Sequence, residues 1–356
     1  MDKVQKIMQQ WNALQPLPSK EKEMLSRRFS IDFNYNSNHI EGNTLTYGQT
    51  EILLLFGKIV GEAYMRDVQE MTASNVGLKM MMEEAQHKEK PLTQNFIRVL
   101  HQTILRENYI VYRTLPGGVQ TSYEVHTGQY KTRPNSVITR NGDLFEYASP
   151  EETPALMSDL VAWYNDAEQS GRYTPIELAA MFHYRYIRIH PFEDGNGRIA
   201  RLMANYILLR HEWPMIVIRS RKKQEYLEAL HQTDLTVGAE PSYGARASKR
   251  AMQHFITYFT KVFLEEVTYN IRYLTEQGNN VWWFDGERIN FRATTTSHIL
   301  NLMYECPDIT ISKLSEKVGI NIAAMNKQIK QLTTKGYIRR SERNGQWQLV
   351  ITPSIT

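Results

Sequence analysis

Residues 190–201 read His-Pro-Phe-Glu-Asp-Gly-Asn-Gly-Arg-Ile-Ala-Arg and run on into Leu-Met-Ala-Asn-Tyr-Ile-Leu-Leu, a helix-forming stretch. A loop of this composition at a helix start constrains the chain strongly. Gly195, Asn196 and Gly197 let successive backbone N–H groups converge on an anion at the helix N-terminus. Glycine reaches positive φ and leaves room for a ligand, and asparagine tolerates the left-handed region better than most residues. Arg198 and Arg201, three apart on the first turn, present two guanidinium groups on nearly one face, a clamp for a polyphosphate. Asp194 stands immediately before the nest, where a carboxylate holds a Mg²⁺ that bridges phosphate oxygens; without a metal it would repel the ligand. His190, at the other edge, is an imidazole expected to titrate near neutral pH and to take a proton from an attacking hydroxyl. Phe192 is the expected buried anchor of the loop.

This ordered set resembles the signature of Fic-domain proteins, His-Pro-Phe-x-(Asp/Glu)-Gly-Asn-Gly-Arg-x-x-Arg, and matches it in full. The resemblance implies a mainly α fold with a helical Fic core, and transfer of AMP from ATP to a Ser, Thr or Tyr hydroxyl of a protein, with Mg²⁺. By it, His190 deprotonates the target hydroxyl, Asp194 binds Mg²⁺, Gly195, Asn196 and Gly197 hold phosphates, and Arg198 and Arg201 bind the β and γ phosphates of the leaving pyrophosphate.

A second motif, Ser-Asn-His-Ile-Glu-Gly-Asn at residues 37–43, resembles the inhibitory motif of the same proteins, (Ser/Thr)-x-x-x-Glu-(Gly/Asn). Ser37 and Glu41 are four apart and share one helix face, while Gly42 is a helix stop, so Glu41 projects from a helix end. The resemblance makes Arg201 the partner of Glu41 and implies that the pair denies the γ phosphate its arginine. Some relatives also use this glutamate, with the histidine and Mg²⁺, to release AMP from a modified target.

Asn141-Gly142 between β-branched and aromatic residues is a hairpin signal. In Fic proteins a hairpin flap aligns an extended target segment by strand addition; here it is expected over residues 137–147. Just upstream, Gly128-Gln-Tyr-Lys131 departs from the usual Gly-x-(Tyr/Phe)-Arg, keeping a charge but losing the planar fork. Tyr226 and Asp234 fall where Fic proteins line the adenine pocket, and the resemblance assigns them there.

Helical periodicity predicts helices over 2–12, 21–36, 48–84 (capped by Thr46), 93–106, 151–170, 175–189, 198–210, 222–233 and 248–276, with 117–149 the least helical part of the core. A Gly-Asn-Asn-Val-Trp-Trp segment marks a junction, and its two tryptophans are expected to pack between domains. Beyond it come helices over 297–304, 311–318 (capped by Ser312) and 322–335, then a hairpin turning at Asn344-Gly345. This is the layout of a winged helix-turn-helix, which many Fic proteins carry at the C-terminus. The domains are therefore expected at 1–92 (the inhibitory helical region), 93–276 (the Fic core), 277–292 (a linker) and 293–356 (the winged helix). From residue 293 onwards eight basic residues face four acidic ones, the excess lying mostly on the third helix and wing. That suits DNA, though winged helices also dock proteins.

The chain has 356 residues, 42% of them hydrophobic, enough for about two domains. Its net charge of +4 identifies no partner. A single cysteine, Cys306, excludes an internal disulfide and a cysteine-rich metal site, and its apolar helical context predicts a buried thiol. No signal peptide and no run of about 18 apolar residues is found, so a cytoplasmic protein without a membrane partner is expected. The remaining partners are ATP, a target protein on the flap, DNA at 293–356, and a second copy of the chain as a homodimer. Two functions stand: an autoinhibited protein adenylyltransferase, or a DNA-binding transcriptional regulator whose Fic core senses nucleotide.

Overall fold

The computed structural model describes residues 2–59, 61–114, 118, 120–138, 144–276, 281–291, 293–340 and 345–353. It is mainly helical and forms two compact units: Asn36–Asn43 with Gln69–Leu264, and Met1–Tyr35 with Thr44–Val68 and Glu265–Thr356.

The first of these units is built around two consecutive helices, Pro175–Ile189 and Asn196–Arg210, buried along almost their whole length. A capping box starts the former: Thr174 accepts from Glu177 N, Glu177 returns a bond to Thr174 N, and Pro175 takes the first-turn position that needs no N–H. Its far end stops at His190, which adopts φ 50° and ψ 60°, a left-handed conformation seldom seen outside glycine. The chain is thereby turned into the 190–197 loop. Helices Thr153–Ser170 and Gln94–Leu105 complete the packing, the latter capped by Thr93. Phe192 is fully buried, its ring stacked on His101 at 3.7 Å, so it anchors the loop as expected.

Two hairpins replace helix between residues 109 and 145. Val137–Ile138 pairs with Leu144–Phe145, in the stretch expected for the flap; the turn predicted at Asn141-Gly142 lies outside the described residues. The other hairpin, Tyr109–Thr114 with Gln120–Val125, pairs over six positions and was not anticipated.

The predicted 48–84 helix is two helices, of which Tyr47–Phe56 belongs to the other unit and Met65–Glu84 mostly to the unit already described. Thr46 caps Tyr47–Phe56 with a full capping box, but Gly57 follows at φ 64°, and a new helix runs over Met65–Glu84. Periodicity bridged this break because one left-handed glycine ends a helix without disturbing the apolar pattern on either side. Helices Thr294–Glu305, Ile311–Val318 and Ile322–Thr334 precede an antiparallel pair, Ile338–Arg340 with Trp347–Leu349, the winged helix-turn-helix layout. Its core gathers Trp282, Ile299, Leu300, Met303, Leu314, Met325, Leu332 and Trp347. Trp283 instead meets Tyr269 and Tyr273 edge-on, so both tryptophans are packed inside one unit. Two expectations fail here. Thr310, not Ser312, caps the second helix by accepting from Lys313 N, since a cap must precede the first helical residue. Cys306 is exposed: it terminates its helix at φ −136°, and the turn carries its thiol off the buried face.

Candidate active site

Gly195 takes φ 76° and opens the helix Asn196–Arg210, placing the predicted anion nest at a helix N-terminus. Asn196 is a staple rather than a ligand-facing group: its Oδ1 accepts from Phe192 N at 3.0 Å and its Nδ2 donates to Phe192 O at 2.7 Å. Gly197 is required by close approach. A Cβ there would sit 2.3 Å from Glu41 Oε1 and 3.1 Å from Arg201 Nη1. The carboxylate of Glu41 therefore lies directly over the nest.

Ser37 and Glu41 meet Arg201 as the motif implies. Arg201 Nε donates to Ser37 Oγ at 2.9 Å, and Nη2 donates to Ser37 O at 2.8 Å and to Glu41 Oε1 at 2.6 Å. The guanidinium is 3% exposed and the Glu41 side chain 40% exposed, so one partner is fixed and the other reaches solvent. Buried Nη1 of Arg201 and Nε of Arg198 have no hydrogen-bond partner among the described residues, leaving donors available to a phosphate. The helix Ser19–Ile40 ends one residue before Glu41, and Gly42 at φ 98° turns the chain away. Lys223 Nζ donates to Ile40 O at 2.6 Å and Ser220 N to Asn36 Oδ1 at 2.7 Å, holding this segment in place.

Asp194 is held through both of its carboxylate oxygens. Its Oδ2 accepts from Tyr109 of the unanticipated hairpin, its Oδ1 from Gly195 N at 2.6 Å, and Arg198 Nη2 lies 3.7 Å away. The carboxylate is 40% exposed beside the nest. No cluster of three or more metal-binding side chains occurs among the described residues. A single carboxylate next to a phosphate site fits Mg²⁺, which keeps waters and takes substrate oxygens as ligands.

His190 Nδ1 lies 2.8 Å from Asn135 Nδ2 and 3.3 Å from Asn196 Nδ2. Tyr147 stacks on the imidazole at 4.0 Å with an 11° interplanar angle. Burial, reinforced by the charge of Lys131 and opposed by Asp194, pushes its pKa down to about 3. The near-neutral titration expected from the sequence is thus corrected: the resting imidazole is neutral throughout the physiological range. Lys131 is buried as well, its pKa lowered by burial to about 7.

Tyr226 is buried with its hydroxyl 2.9 Å from His183 Nε2, and feels the charges of Arg201 and Glu41. Asp234 accepts from Tyr184 at 2.7 Å and from Arg188 at 3.0 Å. Both are held in a buried polar network on the helix Lys223–Val237. Sequence reasoning missed Tyr109, Asn135 and His101, whose Nδ1 accepts from Gly128 N at 2.9 Å and whose Nε2 meets Asp194 O at 3.0 Å. Only the Gly128–Lys131 departure pointed towards this cluster.

A helical scaffold with an anion nest, a paired arginine and a C-terminal winged helix defines a class, and comparison with known proteins agrees. The Fic/DOC family profile matches residues 91–208, and a winged helix-turn-helix DNA-binding profile matches residues 292–339. The crystal structure of a Fic-domain-containing signaling protein from Bacteroides thetaiotaomicron is 49% identical, covers 76% of this chain and 96% of that one, and superposes with a TM-score of 0.71. The chain belongs to the Fic family. Protein adenylyltransferase fic-1 of Caenorhabditis elegans is 30% identical over 224 residues, which is 62% of this chain and 40% of that protein. The chain thus matches less than half the length of this curated relative. The structure of C. elegans Fic-1 (134–508) is 25% identical over 73% of this chain and 72% of that one, with a TM-score of 0.52.

Proposed function

We propose that this protein is a restrained protein adenylyltransferase that moves AMP from ATP to a hydroxyl side chain of a target protein. The observation that carries this reading is the capture of Arg201 by Ser37 and Glu41, with the Glu41 carboxylate against Gly197. A γ phosphate and this carboxylate compete for one guanidinium and one nest.

In this reading residues 1–92 carry the restraint, 93–276 the catalytic core, 277–292 the link and 293–356 the winged helix. When Glu41 withdraws, Arg201 and Arg198 hold the β and γ phosphates, and the N–H groups of Gly195, Asn196 and Gly197 hold the anion at the helix start. Asp194 would hold Mg²⁺, which would neutralise charge on the phosphate oxygens. The neutral imidazole of His190 accepts the hydroxyl proton as the oxygen attacks the α phosphorus and pyrophosphate leaves. Tyr226 and Asp234 shape the adenine pocket, and an extended target segment pairs with the flap over 137–147. No described helix is long and apolar enough to cross a membrane, and we place the protein in the cytoplasm.

Glu41→Gly is expected to raise incorporation of labelled AMP into the protein itself or into a lysate, and His190→Ala added to it to abolish labelling. Equal labelling of wild type and Glu41→Gly would remove the restraint; labelling that survives loss of His190 would remove its role as base.

The winged helix favours DNA as a further partner, because Asn326, Lys327 and Lys330 are all exposed on the helix Ile322–Thr334. Binding to duplex DNA that weakens steeply with salt and is lost when Lys327 and Lys330 are neutralised is the expected result.

A further inference from the structure

Asn135 faces the catalytic imidazole in an orientation that it cannot reverse. Its Oδ1 accepts from Lys131 Nζ at 2.8 Å, while its Nδ2 donates to Phe192 O at 2.8 Å and lies 3.1 Å from His190 O. Turning the amide over would set an oxygen against two carbonyl oxygens. Lys131 is itself fixed, with Nζ donating to Ile189 O at 3.1 Å and its backbone N to Pro191 O at 2.9 Å. The amide therefore presents N–H to His190 Nδ1 at 2.8 Å. Asn196, also locked by Phe192 through both ends of its amide, presents a second N–H to the same nitrogen at 3.3 Å.

Which ring nitrogen of a neutral histidine carries the proton is set by the bond the other one makes. Two donors facing Nδ1 make it an acceptor, so the resting ring carries its proton on Nε2. A ring in that state offers no lone pair at Nε2 to a target hydroxyl. In a serine protease triad, an amide in place of the carboxylate behind the histidine leaves the geometry intact but imposes the wrong tautomer, at a cost of about 10⁴ in turnover.

We propose that Asn135, oriented by Lys131, is a positioning residue that stores His190 as the Nε2–H tautomer, so that the base becomes competent only when this amide moves. The inference rests on the reading of His190 as the base. Asn135 lies two residues before the flap strand Val137–Ile138, so a target segment pairing with that strand pulls on the residue that sets the tautomer. This restraint acts on the hydroxyl side of the reaction, independently of the restraint that Glu41 places on the phosphate side. It also explains how lysine suffices at position 131: the task is a point donor to two oxygens, not a planar fork.

The test is ¹⁵N NMR of the full chain carrying ring-labelled histidine, with His190 assigned by its loss in His190→Gln. The wild type is expected to show the Nε2–H pattern. Asn135→Asp, which faces Nδ1 with an acceptor, is expected to convert it to Nδ1–H, and Asn135→Ala to a mixture should the aspartate disturb the loop. In the Glu41→Gly background, Asn135→Asp should raise AMP transfer above that of Glu41→Gly alone, with the KM for ATP unchanged. An Nδ1–H wild type overturns the proposal, as does a tautomer indifferent to residue 135, or a switched tautomer with no gain in rate. Because the spectra do not depend on turnover, they stand even if His190 proves not to be the base.

Discussion

Two arginines nine residues apart on one helix, Arg201 and Arg210, each bury a guanidinium against a glutamate, and they are built differently. Arg210 pairs with Glu168 through Nε at 2.7 Å and Nη2 at 3.3 Å, and its remaining donors go to His87 O, Lys88 O and Tyr206 Oη. Glu168 is 16% exposed and also accepts from Tyr164. Every nitrogen of that guanidinium is engaged, and neither partner can leave without stranding a charge. Arg201 keeps Nη1 without a partner among the described residues, and its glutamate is 40% exposed. A fully satisfied buried pair is architecture; a buried cation with a spare donor and a half-solvated anion is exchangeable. On this contrast rests the view that Glu41 occupies Arg201 on behalf of a phosphate.

The contrast can be broken in several ways. The largest effect is expected from His190→Ala in the Glu41→Gly background, where AMP transfer measured by labelling should fall at least about 10²-fold, the lower end of what a positioned base contributes. Glu41→Gly alone should raise transfer about 10- to 100-fold, within the usual range of a coupling between two sites, while melting temperature stays nearly unchanged. Glu168→Ala should do the reverse. Stranding Arg210 should cost about 3 kcal/mol in denaturant unfolding, while labelling in the Glu41→Gly background persists at a temperature where the variant is folded. If Glu41→Gly destabilises as much as Glu168→Ala, the two pairs are alike and the distinction fails.

The smallest effect is on pH. His101 and His183 are completely buried, and burial lowers their pKa values to about 4 and about 3. Both stay neutral in the fold, whereas the unfolded chain binds protons below about pH 6.5. Their contribution is therefore whole above the unfolded value and is lost as pH falls from there towards the folded values. At pH 5.5 each should cost about 1 kcal/mol relative to pH 7, as should His190, so the fall in denaturant midpoint should shrink by about a third in His183→Phe.

How much was legible beforehand follows from distance along the chain. The 190–201 loop was readable almost whole, because its nest, arginines, carboxylate and imidazole are consecutive and a helix start places them together whatever surrounds it. Phe192 as anchor, Thr46 as a cap, and the winged-helix order were local signals of the same kind. The pairing of Arg201 with Ser37 and Glu41 spans about 160 residues and was reached through the family motif alone, since no spacing rule connects such positions. Tyr109, His101 and Asn135 gave no sign, being ordinary residues whose roles come from the backbone groups they meet.

The amino-acid order by itself thus determined which groups could handle a nucleotide, because they lie on one short loop and the helix start that follows it, which brings them together without tertiary support. Tertiary structure alone decided their state. Burial made His190 neutral, the locked amides of Asn135 and Asn196 chose the nitrogen that carries its proton, and Glu41 was brought over Gly197. Charge, tautomer and occupancy depend on desolvation and on neighbours distant in sequence, and these exist only once the chain has folded.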